Sequence, residues 1–294
     1  MLVNIIFLTK KEIDIIKKLT CLRRAYQISE EKFQKMGVWI MRKLSFFVIL
    51  LLFASTLNLS AHFQVIMPDK NYVDSSTSNI VKLNYIFMHP FEQNYMNMPK
   101  PIEAGVFVHG KKIIFTAKLK KANIKGFTYW KTEYKIKRPG DHIFYVIPSP
   151  YFEPAEDKFI KHITKVVVNA YGLEDSWYKP VGLKAEIVPL VRPYGLWAGN
   201  TFRAVVLFNG KPAKNMRVEI EYYNKGKKIK APNDTYITQV VRTDNNGIFT
   251  YTMPKAGWWG FAALGVDNKK MKRNGKLYPV ELGAVFWVYV KEMK

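Results

Sequence analysis

From residue 62 onward the chain is a succession of short runs rich in branched and aromatic residues, each closed by turn-forming residues. The first series covers 63–67, 80–88, 105–108, 112–119, 129–136, 142–147 and 159–168. The second covers 185–188, 201–208, 216–223, 236–241, 248–251, 259–266 and 284–290. Turn chemistry stands between many of them: His109-Gly110, Pro139-Gly140-Asp141, Asn209-Gly210 and the Asp244 to Gly247 stretch. Long amphipathic helical patterns are scarce in the same region. Even spacing of short strands with such turns predicts an all-β chain of sandwich type. Alternation supports it: Trp130, Thr132, Tyr134 and Ile136 share one face of their run, opposite Lys131, Glu133 and Lys135. With 48% hydrophobic and 15% aromatic residues, the chain is neither disordered nor short of core material.

The front of the chain has a different character. Arg42 and Lys43 precede an apolar run of eleven residues, Leu44 to Ala54, broken by Ser45, and Leu59-Ser60-Ala61 offers a small residue at a cleavage position. That is the layout of a secretory signal peptide over 41–61, too short to span a bilayer. Residues 1–40 sit awkwardly ahead of such a leader, and translation is therefore expected to start at Met41. Cleavage after Ala61 removes ten Lys/Arg and four Asp/Glu, which leaves 36 minus 19, or +17, from a total of +23. The single cysteine, Cys21, is lost with it. Thiol catalysis and disulfide stapling are then excluded, and the excess positive charge suits an anionic membrane surface. No basic helix with interleaved aromatics is present, so nucleic acid is not an expected partner.

The segment 169–184 breaks the strand pattern with Gly, Pro and charge. It divides the exported part into a sandwich over 62–180 and a second over 184–294, each near the size of an immunoglobulin-like domain. In the second, Asn209-Gly210-Lys211-Pro212 and then Thr243-Asp244-Asn245-Asn246-Gly247 before an aromatic strand resemble transthyretin-like and Cna-B-like sandwiches.

All five histidines, His62, His89, His109, His142 and His162, fall in the first sandwich, 62–180. If cleavage falls after Ala61, His62 becomes the first residue, and its α-amine and Nδ1 can chelate one ion. Such nitrogen ligation suits Cu(II), Ni(II) or Co(II). Cleavage one residue earlier would leave a plain surface histidine. His89 lies at a strand end fixed by Pro90, with Glu92 three residues on as a second ligand or ring-orienting carboxylate; the alternative is a local hydrogen-bonded loop. The run 153–162 packs Glu153, Glu156, Asp157 and His162 together. His162 shares a face with Ile160, Thr164 and Val166, opposite Lys161 and Lys165, which reads either as a ligand, with Glu156 or Asp157, or as a buried, satisfied histidine. His142 and His109 read as structural and solvated. The chain has no GxSxG, HExxH, phosphate-loop or dinucleotide motif, and no enzymatic activity is expected.

Taken together, Ala61-His62-Phe63, HPFE at 89–92, PGDH at 139–142, EPAEDKFIKHITKVVV at 153–168, RPYGLWAGN at 192–200 and GWWGFAAL at 257–264 resemble the DUF4198 family over nearly all of 61–294. The resemblance implies a periplasmic component of an ABC- or ECF-type cobalt or nickel uptake system, carrying Ni or Co, with Cu or Zn as further candidates. The family's suggestive segments fall on His62, His89, Glu92, Glu156, Asp157 and His162. Two other roles fit the same residues: a non-catalytic, adhesive surface protein, and a copper protein with an N-terminal histidine brace.

Overall fold

The computed structural model describes residues 62–293, together with helical positions 17, 18, 20–24, 30, 36 and 39. Two compact units divide the chain, Met1–Leu59 and Ser60–Lys294. In the first, the described positions are exposed, Cys21 among them. The leader expected over 41–61 lies outside the described residues, as does most of 1–40.

The second unit is all-β and built like a sandwich. One outer sheet is made from Phe63–Pro68, Ile80–His89, Phe127–Lys135 and Lys120–Ile124, with Asn94–Met96 on its edge. A second outer sheet holds Ala185–Pro189, Thr201–Phe208, Lys211–Pro212 and Ile248–Thr252. Between them runs an 11-stranded sheet that draws strands from both halves of the chain. Its centre is Lys158–Ala170, parallel to Val280–Lys291 with Phe159 opposite Val280 and Val166 opposite Trp287. The 171–184 connection contains no strand, but the halves on either side of it share this sheet.

Burial on both faces explains the composition of the central strands. Phe144 and Val146 enter one core while Ile143 and Tyr145 enter the other. Val285 and Trp287 likewise oppose Ala284, Phe286 and Val288. A strand with two dry faces reads as a continuous apolar run rather than an alternation. The same position corrects the expected contrast between His162 and Lys165. Lys165 is 1% exposed, because the face opposite His162 is also covered. The sheets are also tied by hydrogen bonds, since Trp287 Nε1 and the Thr164 hydroxyl both donate to the Gln64 carbonyl, at 3.2 and 3.1 Å.

Candidate metal centre

Strand register brings two histidines together. Phe63 pairs with Met88 in the antiparallel ladder, and one further step sets His62 beside His89. Their ring centroids are 4.5 Å apart, and His62 also stacks on Phe87 at 5.8 Å. Such cross-strand neighbours face the same side of a sheet, so both rings approach one spot. Glu153, at the end of the strand Tyr151–Glu153, places Oε2 3.0 Å from His62 Nε2. Burial first, and then electrostatic repulsion from the neighbouring His89 and His162 rings, pushes His62 down to about 3. Nearby Glu281 pulls the other way and is outweighed. The imidazole is therefore neutral at physiological pH, the form that binds a metal.

His162 belongs to the layer behind. Its Nε2 donates to Glu281 Oε1 at 2.9 Å, and Lys158 donates to Glu281 Oε2 at 2.6 Å. These donors hold the Glu281 carboxyl down at about 2 despite its burial. Lys158 also pairs with Glu156. Asp157 turns outward at the hairpin tip with φ +53, 65% exposed, and its Oδ2 lies 3.2 Å from Lys276. Glu92 sits near a buried carboxylate, Glu221, whose pKa its charge helps to raise. The six expected residues thus separate: His62 and His89 stand together, His162 lies behind them, and Glu156 and Asp157 engage lysines. Among the described residues, no three His, Cys, Asp or Glu side chains stand as a preformed ligand set.

Glu281 and Lys158 carry no signal in the sequence. Glu153 opens the acidic run 153–162, and hairpin register, with Glu153 opposite Lys158, turns it rather than Glu156 toward His62. The other histidines have ordinary partners. His142 Nδ1 lies 3.1 Å from the Gly140 carbonyl oxygen, and His109 Nδ1 lies 3.0 Å from Asp175. The PGDH segment is accounted for by Asp141, which is buried. Its Oδ2 accepts from the backbone N–H of Asp175, Ser176 and Trp177, and its Oδ1 from Asn169 and Tyr194. Asp141 therefore fastens the 171–184 connection to the central sheet.

A family model described as a domain of unknown function, DUF4198, matches residues 59–267. No curated protein matches the chain. Among solved structures, the D0-D1 domain of intimin is 13% identical, covering 77% of this chain and 99% of that one, with a TM-score of 0.19. The Yersinia pseudotuberculosis adhesin InvE is 10% identical, covering 75% and 58%, with a TM-score of 0.23. The titin Ig tandem A164-A165 is 13% identical, covering 76% and 98%, with a TM-score of 0.17. At these identities the likeness extends no further than β-rich architecture.

Proposed function

The chain belongs to the DUF4198 family, and on that premise we propose that it is a periplasmic protein that captures a divalent transition metal, nickel or cobalt first, and presents it to a membrane transporter. The observation that carries this reading is the His62–His89 pair, with ring centroids 4.5 Å apart. His62 directly precedes the strand Phe63–Pro68 and His89 ends its partner Ile80–His89, so one sheet presents both rings, and His62 stays neutral without help from a metal. Cleavage after Ala61 would add the His62 α-amine as a third nitrogen, and the Glu153 carboxylate lies 3.0 Å from His62 Nε2. Two imidazoles, an amine and a carboxylate form a borderline donor set suited to Ni²⁺, Co²⁺ or Cu²⁺. A transporter of ABC or ECF type is the expected recipient, and the basic surface would keep the carrier close to an anionic membrane.

Calorimetric titration of protein beginning at His62 with Ni²⁺, Co²⁺, Cu²⁺ and Zn²⁺ tests the proposal. One equivalent should bind, and His62→Ala and His89→Ala should each weaken it by about tenfold or more. Failure to bind any of the four ions, or unchanged affinity in both variants, would overturn it.

A second reading, a surface protein that binds glycan or protein, is favoured by a different place. A cavity of about 320 Å³ is lined by Tyr72, Tyr194, Trp197, Glu174 and Arg192, with Tyr72 and Trp197 each 41% exposed. Aromatic faces beside an Arg–Glu pair suit a sugar ring. Retention on immobilised glycans that is lost in Trp197→Ala and indifferent to metal would favour it.

A further inference from the structure

His162 has one nitrogen that the protein does not use. Its ring is 2% exposed, and Nε2 faces Glu281 at 2.9 Å. A carboxylate accepts only, so Nε2 carries a proton toward Glu281, and Nδ1 is the ring nitrogen left to meet an ion. No protein group meets Nδ1; among the described residues, the Tyr85 hydroxyl is the other buried side-chain atom of this kind. Orphaned polar atoms in a dry core are costly, so such an atom calls for an occupant.

The direction of Nδ1 follows from Gly283. A Cβ built on that glycine would lie 2.4 Å from Cδ2, 2.9 Å from Cγ and 3.0 Å from Nε2 of His162. The Cδ2 edge therefore rests on the strand Val280–Lys291, and the Nδ1 edge looks away from it. A cavity of about 10 Å³ is bounded by His162, Met98, Gln64, Pro148 and Tyr151. This volume is close to one water-sized sphere, so it admits a single atom. Met98 is 2% exposed, and its sulfur accepts a hydrogen bond from Gln64 Nε2 at 3.4 Å. Gln64 also donates to the Ile86 carbonyl at 3.0 Å, which holds its amide, and with it the thioether, in place.

We propose that His162 Nδ1 and Met98 Sδ form a site for one soft monovalent cation, Cu(I) or its redox-inert surrogate Ag(I). The donor set is one imidazole nitrogen and one thioether, and no carboxylate lines the cavity. Hard or divalent ions need more ligands and compensating charge, whereas soft ions accept few, neutral, polarisable donors. The Glu281–His162 bond supplies the orientation, since a carboxylate that takes the remote N–H of a histidine fixes its tautomer and raises its basicity as a ligand. Gln64 does the corresponding service for the sulfur. This site does not rest on the divalent reading of His62 and His89, and it uses neither of them.

The test is competition for Cu(I) against bicinchoninate under anaerobic conditions, with Ag(I) titration followed by the ¹⁵N shift of His162. Wild-type protein should withdraw one equivalent of Cu(I), and Ag(I) should move Nδ1 far more than Nε2. Met98→Leu, which keeps the side-chain volume, should weaken binding by about a hundredfold with an unchanged melting temperature. Cu(I) left with the chelator would overturn the proposal and leave a single bonded water as the occupant. Equal affinity in Met98→Leu would also overturn it by placing the ion elsewhere.

Discussion

Gly283 stands opposite His162 in the parallel pairing of the two central strands, and a Cβ there would come within 2.4 Å of the imidazole. The glycine is what allows the Cδ2 edge of the histidine ring to rest on the neighbouring strand while Nε2 reaches Glu281. Gly283→Ala should push the ring off that carboxylate. The expected loss is about 1–3 kcal/mol, the usual cost of overpacking a tight core, read by urea unfolding. In the same variant the His162 Nε2–H signal should lose its hydrogen-bonded shift. Unchanged stability with that signal intact would contradict the packing described.

Glu221 provides a pH dependence with a defined sign. Burial pushes its carboxyl up to about 8 from an ordinary value near 4.5, while Thr238 and the Phe91 N–H, the latter 3.3 Å from Oε2, act to lower it. The folded chain holds this proton at neutral pH, and the unfolded chain has already released it. The stability that Glu221 contributes is therefore complete below about 4.5 and is lost as pH rises toward 8. Glu221→Gln stays neutral throughout. Its melting temperature should match the wild type near the lower limit and exceed it above the upper one. A gap that does not change with pH would show that Glu221 is ionised in the fold.

His62 has the opposite sign. Its pKa is pushed down to about 3 from 6.5, so the folded ring refuses a proton that the unfolded chain accepts. Stability from this source is complete above 6.5 and is lost as pH falls toward 3. In metal-free protein the His62 ring carbons should show no titration in NMR spectra between pH 7 and pH 4. His62→Phe should lessen the acid destabilisation. A normal imidazole titration would place the ring in water and remove the neutral ligand from the candidate centre.

Local chemistry made the strands readable and left the site half hidden. Asn209-Gly210 and the Asp244–Gly247 turn separate strands where expected, because positive φ at Asn209, Gly210 and Gly247 is encoded in the residue type. Polar strands such as Lys120–Ile124 carry no run of apolar residues that would announce them. The run expected over 112–119 stops at Ile114 and continues as a 3-10 turn, Thr116–Lys118. The run expected over 236–241 begins in another, Asp234–Tyr236, capped by the Asn233 side chain accepting from Thr235 N–H. His62 and His89 were each singled out, but their contact is a matter of register. The partnership of His162 with Glu281 spans 119 residues and depends on a parallel pairing that no periodicity announces.

Lys165 and Glu186 give the sharpest test of the shared central sheet. Lys165 Nζ donates to Glu186 Oε2 at 2.9 Å, with the two side chains 1% and 2% exposed. Lys165 comes from the first half of the chain and Glu186 from the second, so the pair bridges the 171–184 connection. Glu186 also accepts the backbone N–H groups of Val181, Gly182 and Leu183 at 2.9, 3.0 and 3.4 Å. The two partners are therefore unequal. Glu186→Ala strands an ammonium in a dry core and unpairs three backbone donors, and should cost about 3–5 kcal/mol. Lys165→Met fills the same space and leaves a carboxylate still held by those three N–H groups, so it should cost less than half as much. Urea unfolding of both variants at one pH and a common m value decides the order. Equal losses would mean that the backbone donors do not hold the carboxylate, and that the connection at 181–183 is anchored by the lysine alone.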